Sequence, residues 1–188
     1  MNSGDKRILL HSCCAVCASS CIERLESEGW KVVLFYDNPN ISPESEREKR
    51  LDYVRRLAAA YNVELIVGNT PHSVWQEVIR GFEAEPEGAE RCKRCFDLNL
   101  HLARAAADSE NIGCFCTSLT VSRYKNSKNI IAIGSAIEGY APYDFKKKGG
   151  EERSIRIARE LELYRQKYCG CEYSVKTSSE LESDCSYK

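Results

Sequence analysis

The chain has 188 residues, 43% hydrophobic and 29% charged, with a formal net charge of −1. That is enough chain for one well-cored domain, and it carries no global basic field that would by itself point to nucleic acid, although a local basic patch stays open. The first residues lack the apolar region of a signal peptide, and no apolar run approaches the roughly 18 residues that span a membrane, so a cytoplasmic protein with no membrane partner is expected.

Strand and helix signals alternate along the chain. Residues 7–11, 31–36, 63–67 and 112–116 are short apolar, β-branched or aromatic runs and read as strands. Residues 15–28 read as a helix closed by Gly29. Ser42 as N-cap and Pro43 at the first position open a second helix, with Glu44 and Glu46 in its first turn. Further helices are expected from Pro71 to Ile79 and over 92–108, 127–138 and 150–167. This alternation predicts an α/β fold, a mainly parallel sheet flanked by helices with right-handed crossovers. Residues 1–176 are expected to form one domain and the Ser/Glu-rich stretch 177–188 a flexible tail that carries Cys185.

Eleven cysteines stand out. In a reducing compartment, thiols in such number bind metal or do redox chemistry more often than they staple a fold. Cys13, Cys14, Cys17 and Cys21 follow the first strand, where open α/β sheets place their ligands. A C-x-x-C pair, Cys92 and Cys95, brings two further thiols within reach of one metal. Two such elements supply four ligands, enough for structural zinc or for a [4Fe–4S] cluster, and spacing alone leaves both open. Cys17 and Cys21, four apart on a helix, read as packing residues, as do Cys114 and Cys116, placed one on each side of the fourth strand. Cys169-Gly170-Cys171 is tighter. Such a pair either ligates metal or cycles between dithiol and disulfide.

Several motifs, taken in order, resemble a known family. They are Leu9-Leu10-His11-Ser12-Cys13-Cys14, Asn38-Pro39-Asn40-Ile41, Arg91-Cys92-x-x-Cys95-Phe96, Ser122-x-x-Lys125-Asn126, Asp144-Phe145-Lys146 and Tyr164-Arg165-Gln166-x-Tyr168-Cys169-Gly170-Cys171. Over residues 7–175 the chain resembles the QueH type of epoxyqueuosine reductase. The resemblance implies a domain like the adenine-nucleotide α-hydrolases. The implied reaction is reduction of the epoxide of epoxyqueuosine in a tRNA anticodon loop, the last step of queuosine biosynthesis. It also implies a [4Fe–4S] cluster held by Cys13, Cys14, Cys92 and Cys95, with Cys169 and Cys171 as a redox-active disulfide pair or as ligands of an adjacent mononuclear iron. The first-strand loop reads Ser12-Cys13-Cys14 rather than Ser-Gly-Gly-x-Asp-Ser, so ATP chemistry is not expected.

Removing the epoxide oxygen as water takes two electrons and two protons, delivered through an unidentified electron donor. His11 is the candidate proton relay. Asp97 and Asp144 are candidate carboxylate ligands of a second metal. Tyr124, Lys125 and Tyr168 are expected to orient substrate, and Lys146, Lys147 and Lys148 to meet tRNA phosphates. A zinc-stabilised nucleotide-binding enzyme such as a tRNA thiolase, and a zinc module that contacts RNA, are the competing readings; the missing phosphate loop counts against the first.

Overall fold

The computed structural model describes residues 6–174, so the tail 177–188 and Cys185 lie outside the described residues. Four strands, β1 (Arg7–His11), β2 (Lys31–Tyr36), β3 (Glu64–Val67) and β4 (Phe115–Thr117), form one sheet in the order β3-β2-β1-β4. All three pairings are parallel: Leu10 opposes Leu34, Leu34 opposes Leu65, and Leu10 opposes Cys116 on the other side. Parallel strands buried on both faces read as continuous apolar runs, as Ile8-Leu9-Leu10 and Val32-Val33-Leu34-Phe35 do.

Side chains alternate between the two faces. Ile8, Leu10, Val32, Leu34 and Tyr36 pack on helices α1 (Ala15–Ser27), α2 (Glu44–Tyr61) and α6 (Gly150–Glu160) through Ile22, Leu25, Val54, Leu57 and Ala158. Leu9, Val33, Phe35 and Phe115 point the other way, onto α4 (Glu90–Ser109) through Leu100, Ala103 and Ala107. Helices α3 (His72–Val78) and α5 (Ser127–Gly134) complete the three layers. Among the described residues no helix is long and apolar enough to cross a membrane.

Three expectations shift. Pro43 is the N-cap of α2 and caps with no side-chain bond. Ser42 stays outside the helix, where its N–H donates to the Gly170 carbonyl at 2.9 Å and its carbonyl accepts from Tyr168 Oη at 2.9 Å. The last helix stops at Glu160 rather than 167. Glu162 takes a positive φ of 50° and Leu163 turns into the core at 7% exposure, which breaks the helical periodicity. Cys114 and Cys116 both pack into the α1/α2 core layer rather than on opposite sides, because residues two apart on an extended chain project to the same face.

Helices α1 and α6 are joined by a two-pronged ion pair, Arg153 Nε and Nη2 to Glu23 at 2.8 and 2.7 Å, with Tyr61 Oη donating to the same carboxylate at 2.9 Å. Arg153, then Tyr61, hold the Glu23 carboxyl below its ordinary value of 4.5 against the opposing effect of burial. A carboxylate depressed in the folded state stabilises above its unfolded pKa, and that stabilisation is lost as pH falls through the folded value. Glu23→Gln is therefore expected to cost up to about 1 kcal/mol near pH 7, the range of a partly exposed pair. In urea melts the gap from the parent should close progressively as pH falls below 4.5; a gap that persists in acid would contradict the ionic account.

Candidate metal–thiol centre

Strands β1 and β2 progress toward one edge of the sheet, and β4 returns to the other side of β1. The carboxyl ends of β1 and β4 therefore flank the reversal point, where open α/β sheets bind their ligands. Cys13 sits there. Its N–H donates to Ser118 Oγ at 3.1 Å, just past the end of β4, and Ser118 Oγ lies 3.5 Å from the Cys13 sulfur. Ser12 N–H stays bonded to the Phe35 carbonyl at 2.8 Å, which keeps the turn pressed against β2.

Cys14 is the N-cap of α1, its sulfur accepting from Cys17 N–H at 3.4 Å. The positive end of a helix favours a thiolate. The Cys13 and Cys17 thiols and the Gln166 amide also donate to that sulfur, and together they pull the Cys14 pKa well below its ordinary value. The donors move oppositely: Cys13 is raised and Cys17 raised well above normal. The three sulfurs lie within 4.8 Å of one another. Cys17 thus belongs to the site, contrary to its reading as a packing residue. Its signal was the Cys14-x-x-Cys17 spacing, the same spacing as Cys92 to Cys95. Cys21 is the packing residue; its thiol donates to the Cys17 carbonyl at 3.1 Å and is fully buried.

The second pair lies on the first turns of α4. Cys92 Sγ accepts from Gly88 N–H at 3.2 Å and Cys95 Sγ from Asn99 Nδ2 at 3.7 Å. Burial pushes both thiols up, Cys95 the more strongly. Arg91, 3% exposed, donates to the carbonyls of Glu83 and Glu85 and so ties the preceding loop to the helix start. Asn99 also donates to Asn40 Oδ1 at 3.2 Å, and Asn38 donates to the Ser12 carbonyl at 2.9 Å. The Asn-Pro-Asn run after β2 thereby links the turn after β1 to α4.

Two cavities open between these elements. One is lined by Cys92, Cys95, Cys169 and Cys171 with Trp75, the other by Cys13, Cys95, Cys169 and Lys125. Asn40, Cys95, Phe96 and Cys169 line both, so the two cavities adjoin, and thiols from three distant stretches of chain line one or the other. Cys169 and Cys171 are free thiols here. Burial opposes the charge of Lys125, yet the facing Cys169, Cys13 and Cys17 sulfurs outweigh it and raise its pKa. Lys125 therefore stands as a cation among thiols rather than on the outer surface.

Other expected residues are placed differently. His11 is fully buried, its Nδ1 2.9 Å from Thr117 Oγ1 and its Nε2 without a partner. Burial lowers its pKa, and it lines neither cavity. Asp97 is exposed and faces His101 at 3.4 Å. Asp144 accepts from Ser127 Oγ and from Lys146 N–H at 3.4 and 3.3 Å, a turn-closing role. Neither carboxylate lines a cavity. Tyr168 is bonded to Ser42 and lies under Arg50. Tyr124 is 85% exposed. Lys146 Nζ turns inward to the Lys125 carbonyl at 2.9 Å, while Lys147 and Lys148 stay exposed.

The donor set suits a thiolate-bound iron–sulfur group. Each of Cys13, Cys14, Cys92 and Cys95 has a hydrogen-bond donor on its sulfur, between 3.0 and 3.7 Å away. Hydrogen bonds to ligand sulfurs are what stabilise such groups and set their potentials.

Comparison with known proteins identifies the family. The family model for epoxyqueuosine reductase QueH matches residues 8–177. A protein of that name from Acinetobacter baylyi is 35% identical over 95% of this chain and 84% of its own length. Another from Thermotoga maritima is 30% identical over 96% of each chain. In fold, the chain is similar to the U34-tRNA thiolase NcsA from Methanococcus maripaludis, solved with its [4Fe-4S] cluster, at a TM-score of 0.55 and 11% identity; the match covers 96% of this chain and 65% of that one. It is also similar to the NMN synthetase from Francisella tularensis, at 0.53 and 11%, covering 97% of this chain and 73% of that one. The fold is thus shared with these two proteins, and the chain belongs to the epoxyqueuosine reductase QueH family.

Proposed function

We propose that this protein reduces the epoxide of tRNA-bound epoxyqueuosine to the cyclopentene of queuosine, using an iron–sulfur group held by Cys13, Cys14, Cys92 and Cys95. The observation that carries this reading is the pair of adjoining thiol-lined cavities bordered by Cys13, Cys92 and Cys95, with Cys14 beside Cys13 and a donor on each of those four sulfurs. Those four thiolates would hold a [4Fe–4S] cluster, which when bound would supply one-electron transfer.

The remaining chemistry falls to the chain's own groups. Oxidising the Cys169 and Cys171 thiols to a disulfide releases two electrons and two protons, which balances loss of the epoxide oxygen as water with formation of the alkene. An external reductant then restores the dithiol. The Lys125 ammonium, aimed into the same cavity as Cys13 and Cys169, stabilises negative charge developing on the departing oxygen. His11, neutral and outside both cavities, holds the end of β1 to β4 through Thr117 instead of moving protons to substrate. Should the C-x-C pair ligate a second iron, Asp97 and Asp144 are engaged elsewhere and do not join it. Outside the pocket, Tyr124 offers an exposed ring for base stacking, and Lys147 and Lys148 offer charge to anticodon-loop phosphates.

Anaerobic purification followed by iron and sulfide analysis tests the ligands. Cys92→Ser and Cys95→Ser are expected to lose most of the iron, with Cys21→Ser and Asp97→Asn retaining the parent content. Iron lost from Cys17→Ser but kept in Cys92→Ser would move the site to the Cys13/Cys14/Cys17 trio. Conversion of epoxyqueuosine in tRNA, followed by nucleoside mass spectrometry, should be abolished in Cys171→Ala; a parent rate removes the dithiol from the reaction. Replacing Lys147 and Lys148 by Gln should weaken tRNA binding and flatten the slope of log K against log salt by about 1.4, because each neutralised single-strand phosphate contributes about 0.7; an unchanged slope places the tRNA elsewhere.

A further inference from the structure

After Glu160 the chain has no helix or strand until the turn at Glu172–Ser174, so the backbone of the strap 163–171 must find its partners elsewhere in the molecule. The carbonyls of Tyr168, Cys169 and Gly170 find theirs in α2 and in Ser42 just before it. The Arg50 side chain, only 1% exposed, gives Nε to Glu46 at 2.7 Å, Nη1 to the Cys169 carbonyl at 2.8 Å and Nη2 to the Tyr168 carbonyl at 3.4 Å. The guanidinium lies 5.2 Å from the centre of the Tyr168 ring. Glu46, its counter-ion, accepts in turn from Tyr164 Oη at 3.1 Å, at the head of the same strap. The buried charge is thus committed to one short segment. A planar fork of five donors serves Glu46 and two successive carbonyls at once in a fixed geometry, which the single point charge of an ammonium does not reproduce.

Gly170 fits the same contact. Its φ is +147°, and a Cβ there would stand 3.1 Å from Ile41 and 3.3 Å from both Arg50 Nη1 and Asn40 Nδ2. The strap also bridges to the thiol centre, since Gln166 Nε2 reaches Cys14 Sγ at 3.0 Å. We propose that Arg50 is the positioning residue of the Cys169–Cys171 pair, docking the strap on α2 so that both thiols face the pocket and Gln166 reaches Cys14. The catalytic part of this inference rests on the reductase reading above; the docking part does not.

The test uses the full-length protein, purified anaerobically, with alkylation by iodoacetamide at fixed pH and quantification of each cysteine by mass spectrometry. In Arg50→Gln, labelling of Cys169 and Cys171 should accelerate about tenfold, the signature of a locally opened segment, while Cys21 and Cys116, both fully buried, stay at parent rates. Arg50→Lys should fall between, because it restores the charge without the planar fork that spans both carbonyls and Glu46. On epoxyqueuosine-tRNA, kcat should fall about tenfold with KM nearly unchanged, the pattern of a loss confined to the reacting geometry. Unchanged labelling of the pair overturns the proposal, as does parallel acceleration at Cys21 and Cys116, which would make Arg50 a general stabiliser. If Arg50→Gln does not fold, Gly170→Ala tests the same contact from the other side and must show the same selective labelling. Selective labelling together with a parent protein inactive on that tRNA would leave the docking role standing and remove the reductase reading.

Discussion

The reversal of strand order beside β1 is the constraint on which the rest of the molecule depends. Because β2 and β4 lie on opposite sides of β1, the turn after His11 cannot be covered by a neighbouring connection and opens as a crevice. Ser118 bonds the Cys13 amide from the end of β4, and Asn38 bonds the Ser12 carbonyl from the end of β2. The turn that carries the cysteines is thus clamped by both neighbours before any ligand enters.

Gathering thiols in such a place has an electrostatic cost. Ionising a group out of water is unfavourable by several kcal/mol unless charge or hydrogen bonds replace the water. This protein offsets it with donors rather than with a ring of cations: amides from Gln166, Asn99, Gly88 and Cys17 and a hydroxyl from Ser118 are directed at sulfur. Two cations then complete the enclosure. Lys125 faces the cavity, and Arg50 faces the strap that carries the C-x-C pair. These partners come from α1, α2, the end of β4, α4 and the loop before it, α5's leading loop and the C-terminal strap, so the centre also joins the layers of the fold to one another.

The central strands β1 and β2 were legible because their interior residues are buried on both faces and must be apolar. Four strands and the alternation of helices followed from short apolar runs, with ends misplaced where a local signal competed with a distant contact. The pattern over 150–167 looks helical to its end, but Leu163 enters the core and Tyr164, Tyr168 and Cys169 are held by α2. Ser42 has the chemistry of an N-cap, yet its backbone is taken by Gly170 and Tyr168. The cysteine motifs and Phe96 were legible as a site because paired thiols are rare and chemically pointed. Lys125 was visible as a functional residue, but not as one that faces sulfur.

Arg50, Asn99 and Gln166 had no such signal. An arginine in a helix as polar as α2 reads as solvated surface, and only the docking of a segment more than a hundred residues later buries it. Local periodicity was enough to specify the parallel α/β core, and the ordered motifs were enough to specify the family. Folding in three dimensions was needed to bring Gln166 to Cys14, to engage Asp97 and Asp144 elsewhere, and to set Arg50 against the carbonyls of Tyr168 and Cys169. Those outcomes depend on which distant groups satisfy buried donors and acceptors, a condition that no stretch of sequence read alone contains.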